Sequence, residues 1–222
     1  MSLYLYGVLG VEDLSACGVT GIQQQPVKIV GIEGLRIIAS EFGGTSLIPT
    51  KQNIFSHEHV LESLMDHTTP LPFRFGTVVS QEKLHDFIRT NRDRLQADLD
   101  QVRGCVEMGL KILASAESAP EAPQQSASGT EFLRSKQRRH LQLRDTATWV
   151  DAAVAGVIRR SDVSSVDGTA KLLIRIAHLV PREALSEYKV QIALLVRQRT
   201  DYRFLSSGPW PPYSFVSTSY AG

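Results

Sequence analysis

The sequence predicts an α+β protein of two small domains, each with helices on one face of a mainly antiparallel sheet. Segments rich in β-branched and aromatic residues alternate with segments of helical period in both halves of the chain. A stretch almost free of large apolar residues, SAESAPEAPQQSASG at 115–129, separates the halves. The predicted domains are therefore residues 1–114 and 130–222, joined by a flexible linker or mobile loop at 115–129.

The N-terminal half begins with strand-like segments. Ser2–Leu9 is rich in Tyr, Leu and Val and ends at Gly10, which predicts an early strand of the sheet. Residues 27–32 and 35–42 are rich in β-branched residues and flank Gly34, so they predict a hairpin with a tight turn.

Two helices are predicted to follow. Val60, Leu61 and Leu64 have helical spacing, with Ser56 as the expected N-cap. Residues 73–79 predict a strand, and Ser80 is expected to cap a second helix that ends at Gly104. The inward stripe of this second helix is predicted to be Leu84, Phe87, Ile88, Leu95 and Leu99. Residues 106–112 then alternate as a half-buried strand that closes the first domain.

The C-terminal half predicts the same mixture of elements. Residues 130–160 have helical periodicity, and Asp167-Gly168 predicts a turn before a strand over 172–178. Pro181 suits the first turn of a further helix, whose predicted inward stripe is Leu185, Tyr188, Ile192 and Leu195. A last strand over 202–205 leads into GPWPPYSFV at 208–216.

The GPWPPYSFV segment is a candidate partner-binding or structural motif. Its three prolines exclude a helix or a central strand, and its extended backbone presents large apolar side chains. Trp210 and Tyr213 favour a structural role, as a cover over the sheet of the second domain, and contact with a partner is the alternative.

A second candidate motif is PLPFRFGTV at 70–78. In a strand, Arg74 points to the face opposite to Phe73 and Phe75. An edge-strand charge that discourages aggregation is the favoured interpretation, and a partner contact is the other one.

The histidines and the basic residues favour solvated faces. His57, Glu58, His59 and Glu62 do not share one helix face, so we interpret them as solvated first-turn residues rather than metal ligands. The basic run from Arg134 to Arg144 contains no interleaved aromatic residues. A solvated face is therefore favoured over binding to nucleic acid or to an acidic protein.

Composition and motifs exclude several classes of function. The chain of 222 residues has a net charge of +1, which gives no long-range attraction to nucleic acid or anionic membranes. There is no bilayer-length apolar run or secretory signal, which predicts a cytoplasmic protein. Cys17 and Cys105 form no CxxC, and no GxSxG, Walker A, GxGxxG or HExxH motif occurs. We therefore expect neither an enzyme nor a cofactor or metal.

Three segments together resemble the GvpL/GvpF family of gas vesicle proteins. They are YLYGV at 4–8, PLPFRFGTV at 70–78 and GPWPPYSFV at 208–216, and they occur in the order found in the family. The resemblance implies ferredoxin-like domains, location in the gas vesicle or cytoplasm, and an accessory role in vesicle assembly. The short chain and its single terminal motif favour the F type.

The resemblance also implies a partner. The expected one is the hydrophobic major shell protein GvpA, kept from aggregating during vesicle nucleation, with other gas vesicle proteins as further candidates and no nucleic acid or membrane. A regulatory module that binds a small molecule is the alternative function. It predicts thermal stabilisation by some metabolite.

Overall fold

The computed structural model describes residues 2–10, 18–114, 141, 144–166, 173–199 and 202–217. The predicted linker at 115–129 and the Asp167-Gly168 turn lie outside these residues. Contacts within the chain define two units, one of residues 1–106 with 210–222 and one of residues 107–209. Each unit contains one sheet and two α-helices among its described residues.

The first unit contains five strands and two α-helices. They are β1 (Ser2–Leu9), β2 (Lys28–Ile32), β3 (Leu35–Phe42), α1 (Lys51–Met65), β4 (Leu71–Pro72), β5 (Val78–Ser80) and α2 (Gln81–Val102). The strand order is β2-β3-β1-β4, and β5 also pairs with β1. All of these pairs are antiparallel. Strand β1 is therefore central, and its residues from Tyr4 to Leu9 are buried.

Several predictions for the first unit are confirmed. The hairpin of β2 and β3 turns at Glu33 and Gly34, both with positive φ, as the tight turns of hairpins require. The Ser80 hydroxyl accepts a hydrogen bond from the Lys83 amide and caps α2, as predicted.

The predicted start of α1 was wrong. Thr50, not Ser56, is the N-cap, and its side chain accepts a hydrogen bond from the Asn53 amide at 3.2 Å. The helix therefore begins at Lys51 and places Ser56 in its second turn. Both residue types favour N-caps, so the apolar stripe alone could not select between them.

The predicted strand over 73–79 is interrupted. Residues 73–77 separate β4 from β5, and the Thr77 amide and hydroxyl both donate to the Arg74 carbonyl. Gly76 has a φ of +87°, which favours glycine over other residues. A turn therefore replaces the middle of the predicted strand.

The second sheet has the strand order β7-β8-β6-β9. Its strands are β6 (Cys105–Ala114), β7 (Arg160–Val166), β8 (Leu173–Pro181) and β9 (Tyr202–Trp210). Helix α3 includes residues 144–154 of the described chain, and α4 is Leu185–Gln198. These elements follow one another as β-α-β-β-α-β, the order of a ferredoxin-like motif. The ferredoxin-like topology, which was expected of both domains, stays a prediction.

The two units differ from the predicted domains in two respects. Strand β6, predicted to close the first domain, pairs within the second sheet, and residues 210–222 belong to the first unit. Alternation shows that a strand is half-buried but does not identify its neighbours. The last strand also extends to Trp210, and the sheet tolerates Pro209 because β9 lies at its edge.

Candidate functional site

The C-terminal strap, residues 211–217, lies on the helices of the first unit. Its Tyr213 hydroxyl is 3.2 Å from Nε2 of His57 and donates to Oε1 of Glu58 at 3.3 Å. The Tyr213 side chain also packs against the buried apolar cluster of this unit. One end of the strap is thereby held on α1.

Helix α2 holds the other end of the strap. Phe215 is buried, and its carbonyl accepts a hydrogen bond from Nε2 of Gln101. The amide and the hydroxyl of Ser217 donate to the two carboxylate oxygens of Asp98 at 3.0 and 3.2 Å. The expected cover over the second sheet is therefore wrong for Tyr213, which packs on the first unit together with Phe215.

His57 is the centre of an aromatic cluster beneath the strap. The hydroxyl of Tyr4 lies 2.9 Å from its Nδ1, and the ring of Tyr6 stacks on it at a centroid distance of 5.6 Å. The ring of Phe75 meets it edge-on at 5.8 Å. Tyr4 and Tyr6 share this face because they are two residues apart in β1.

Further hydrogen bonds fix the two tyrosines. The Tyr4 hydroxyl accepts from the Gly76 amide at 3.1 Å, which ties the turn after β4 to the cluster. The Tyr6 hydroxyl accepts from the Ile22 amide at 2.8 Å and also bonds to the hydroxyl of Ser40. Buried hydroxyls need such partners, so the cluster orders three separate segments around β1.

The electrostatics of this cluster favour neutral side chains. Burial lowers the pKa of His57 to about 4, although a hydrogen bond with the Phe73 carbonyl acts in the opposite direction. Burial raises the pKa of the Tyr4 hydroxyl and that of the Glu58 carboxyl. Since both ring nitrogens of His57 are already hydrogen-bonded, the arrangement is suited to holding the strap rather than to proton transfer.

The five predicted site residues are distributed over different environments. Phe73 is buried, donates its amide to the Tyr6 carbonyl and packs its ring beside Phe87. Arg74 is exposed in the turn between β4 and β5, and Trp210 is 38% exposed. Phe75 and Tyr213 both contact His57, so the structure brings one residue of each candidate motif together. Their role in partner binding stays a prediction.

The interpretation of His57 as a solvated first-turn residue was wrong. Its side chain is fully buried, and α1 begins six residues earlier than predicted. The signal was present in the sequence, since His57 precedes Val60, Leu61 and Leu64 by three, four and seven residues. Within the described part of the chain, no three His, Cys, Asp or Glu side chains lie close enough to hold a metal ion.

The second unit contains a comparable buried histidine. His178 on β8 lies 2.8 Å from the Tyr188 hydroxyl on α4 and 2.9 Å from Oδ1 of Asp151 on α3. The Ser161 hydroxyl of β7 donates to the same Asp151 oxygen. Burial lowers the pKa of His178, and Asp151 opposes this shift. The cluster connects two strands to both helices of this unit.

Three large apolar side chains are exposed just before and within the first turns of α1. Ile48 is 74% exposed and Phe55 70%, and Ile54 is also exposed. Phe55 borders an open groove of about 810 Å³ between α1 and residues 18–24, whose other α1 lining residues are Gln52, Ser56 and His59. We call Ile48, Ile54 and Phe55 the α1 apolar patch. Large exposed apolar side chains near a groove are typical of a protein-binding surface.

Comparison with known proteins identifies the family. The family of gas vesicle synthesis proteins GvpL/GvpF matches residues 2–217. The chain belongs to the GvpL/GvpF family. Solved members share this fold: GvpF of Anabaena sp. PCC7120 has a TM-score of 0.81 at 21% identity, over 99% of this chain and 97% of that one. GvpF of Microcystis aeruginosa has a TM-score of 0.79 at 22% identity, over 97% of this chain and 99% of that one.

Curated relatives include both types of GvpL/GvpF protein. Gas vesicle protein L2 of Halobacterium salinarum is 28% identical over 96% of this chain and 90% of its own length. Gas vesicle protein F1 of the same organism is 26% identical over 97% of this chain and 92% of its own length. The F type therefore stays a prediction. None of the helices among the described residues is both long and apolar enough to cross a membrane.

Proposed function

We propose that this GvpL/GvpF protein is an accessory protein of gas vesicle assembly that binds GvpA and keeps it from aggregating until it enters the shell. A hydrophobic shell protein has apolar surface that is uncovered before assembly, and such surface promotes aggregation. A partner with an apolar surface of its own can cover it and then release it to the growing shell.

The α1 apolar patch is the observation that carries this proposal. Its side chains are exposed although the same unit buries the aromatic cluster around His57 and the strap residue Phe215. Exposure of Ile48 and Phe55 loses the stabilisation of about 1.5–3 kcal/mol that burying each would give. A partner that covers both side chains would recover it.

Two of the residues predicted from the sequence remain available to the same partner. Arg74 and Trp210 are exposed, whereas Phe73 is buried and Phe75 and Tyr213 contact His57. We therefore assign Phe73, Phe75 and Tyr213 mainly to the stability of the first unit. Arg74 and Trp210 are second candidates for contact with GvpA.

Co-purification with GvpA produced in the same cells tests the proposal. The affinity-tagged protein should retain GvpA at physiological salt and increase its soluble fraction. The double variant Ile48→Ser with Phe55→Ser should lose most of this retention. Val190→Ser with Leu194→Ser, which removes two exposed apolar side chains of α4, is the matched control and should retain GvpA.

The outcomes separate the role from the surface. If GvpA is soluble and is not retained by the unmodified protein, GvpA binding is wrong. If both double variants retain GvpA and remain folded by circular dichroism, the α1 apolar patch is not the contact. Arg74→Ala and Trp210→Ala then test the two residues predicted from the sequence.

A further inference from the structure

The second sheet has one face covered by helices. On this face His178 of β8 bonds to Tyr188 of α4, and the Tyr202 hydroxyl of β9 accepts from Thr146 of α3. Side chains alternate along a strand, so the residues next to these on β8 and β9 point to the opposite side. On this opposite side Leu179 of β8 is buried, whereas Arg175 and Arg203 are exposed. We call the exposed part of this side the open face of the second sheet.

Three cations lie on the open face. Lys111 of β6, Arg175 of β8 and Arg203 of β9 are all exposed. Each cation lies between two residues of the covered face. The neighbours of Lys111, Leu110 and Ile112, are buried, and so are the neighbours of Arg175, Ile174 and Ile176. The strand order places β6 between β8 and β9, so the three cations are on adjacent strands.

The three cations are also at the same end of the sheet. Lys111 is near the end of β6, whereas Arg175 and Arg203 are near the starts of β8 and β9. Neighbouring strands run antiparallel, so the end of β6 lies beside the starts of the other two. Since adjacent strands are about 4.8 Å apart, the cations span about 10 Å across the sheet.

Few carboxylates of the described strands balance these cations. Asp162 of β7 is exposed on this face, and Glu107 at the start of β6 is buried. Residues 107–209 contain 15 Lys and Arg and 11 Asp and Glu, a net charge of +4. The rest of the chain contains 9 Lys and Arg and 12 Asp and Glu, a net charge of −3. The positive charge is therefore concentrated in residues 107–209, although the whole chain has a net charge of only +1.

The open-face residues near the cations along the same strands allow a polypeptide to approach. Gly109 and Ser207 lie on the open face of β6 and β9, and a Cβ atom built on Gly109 would be 2.7 Å from the Ser207 hydroxyl oxygen. Ala177 of β8 is also small. The exposed Leu205 adds an apolar contact beside them. Small side chains on a sheet leave room for an extended backbone.

We infer that the open face of the second sheet binds an acidic protein segment through Lys111, Arg175 and Arg203. The cations provide the charge complementarity, and Leu205 provides an apolar contact. The described residues of this face include no aromatic ring on which a base could stack, because Tyr202 lies on the covered face with Phe204 two residues later. This partner is distinct from the hydrophobic one proposed above.

Binding of a labelled oligoglutamate peptide to the full chain tests this inference. A peptide of about ten residues can cross the whole sheet, and fluorescence anisotropy at low ionic strength reports its affinity. The variant with Lys111→Glu, Arg175→Glu and Arg203→Glu should bind the peptide at least about tenfold more weakly. Added salt should weaken binding to the unmodified protein.

A second triple variant controls for net charge. Arg144→Glu, Lys189→Glu and Arg197→Glu reverse three exposed cations on α3 and α4 and change the net charge by the same amount. This variant should bind the peptide within about twofold of the unmodified protein. If the first triple variant fails to fold, the single variants Lys111→Gln, Arg175→Gln and Arg203→Gln replace it, and each should weaken binding.

Three results would overturn the inference. One is the absence of saturable peptide binding by the unmodified protein. Another is an equal loss of binding in both triple variants, because the effect would then follow net charge rather than the open face. The third is tighter binding of an oligouridine, lost in the first triple variant, which would assign the face to nucleic acid.

Discussion

The hydroxyl of Tyr213 lies 3.2 Å from Nε2 of His57, although 156 residues separate the two in the chain. This contact joins the C-terminal strap to α1 and closes the aromatic cluster that also contains Tyr4, Tyr6 and Phe75. The C-terminal strap is therefore part of the first unit, and its effect on stability can be measured there.

Tyr213→Phe should lower the free energy of unfolding by about 1–2 kcal/mol, because it removes the hydrogen bonds of the Tyr213 hydroxyl with Nε2 of His57 and with the Glu58 carboxylate. Urea unfolding followed by circular dichroism measures this change. Trp210→Phe alters an exposed side chain one residue before the strap and should change stability by less than about 0.5 kcal/mol. Equal losses in the two variants would contradict a specific role for the hydroxyl.

The buried His57 should make stability depend on pH. Its pKa of about 4 in the folded protein lies below the ordinary value of 6.5, so only the unfolded chain takes up this proton between pH 6.5 and 4. The free energy of unfolding should therefore decrease as the pH is lowered from 6.5 to 4. At pH 5, His57 should account for a loss of about 2 kcal/mol relative to neutral pH.

The variant His57→Gln isolates that contribution. Burial also lowers the pKa of His178, which adds to the pH dependence of stability, and raises the pKa of Glu58, which opposes it. Only the difference between the unmodified protein and His57→Gln therefore reports on His57. Urea unfolding at pH 7 and pH 5 should show a smaller loss in His57→Gln. If the loss of unfolding free energy between pH 7 and pH 5 is equal in His57→Gln and in the unmodified protein, His57 is protonated at pH 5 in the folded protein.

Gly21→Ala should destabilise the first unit strongly. A Cβ atom at this position would overlap the hydroxyl of Tyr6 and lie 2.9 Å from Cγ2 of Val27. Overpacking of this kind costs about 1–3 kcal/mol or more. Gly31→Ala is the matched control, because a Cβ atom there meets no atom within 4 Å, and thermal unfolding of both variants tests the difference.

Asp151→Ala should destabilise the second unit by about 1–3 kcal/mol, because Nε2 of His178 and the Ser161 hydroxyl lose their shared partner. Asp145→Ala removes an exposed carboxylate from the same helix and should have little effect. Urea unfolding compares the two variants. A loss as large for Asp145→Ala would attribute the effect to the charge of α3 rather than to the cluster.

Phe73→Ala should cost about 3–5 kcal/mol, since its ring is buried beside Phe87. Arg74→Ala, one residue further, should change stability by less than about 0.5 kcal/mol because this side chain is exposed. The free energies of unfolding in urea test this alternation. A large loss for Arg74→Ala would mean that its guanidinium stabilises the fold.

Local signals predicted most of the secondary structure. The hairpin of β2 and β3, the cap of α2 at Ser80 and the alternation in β6 each depend on residues close together in the chain. The start of α1 was missed because Thr50 and Ser56 are both acceptable N-caps, although the spacing of His57 from Val60, Leu61 and Leu64 already placed His57 on the apolar side of the helix. For the same reason His57 was interpreted as solvated, although it is buried at the centre of the candidate site.

By itself the sequence determined the fold class and the resemblance to the GvpL/GvpF family, to which the chain belongs. Only the tertiary structure decided that β6 pairs in the second sheet and that the strap packs on the first unit. Periodicity records how much of a segment is buried. The surface that buries it is chosen by shape and hydrogen bonding between residues far apart in the chain, as between Tyr213 and His57.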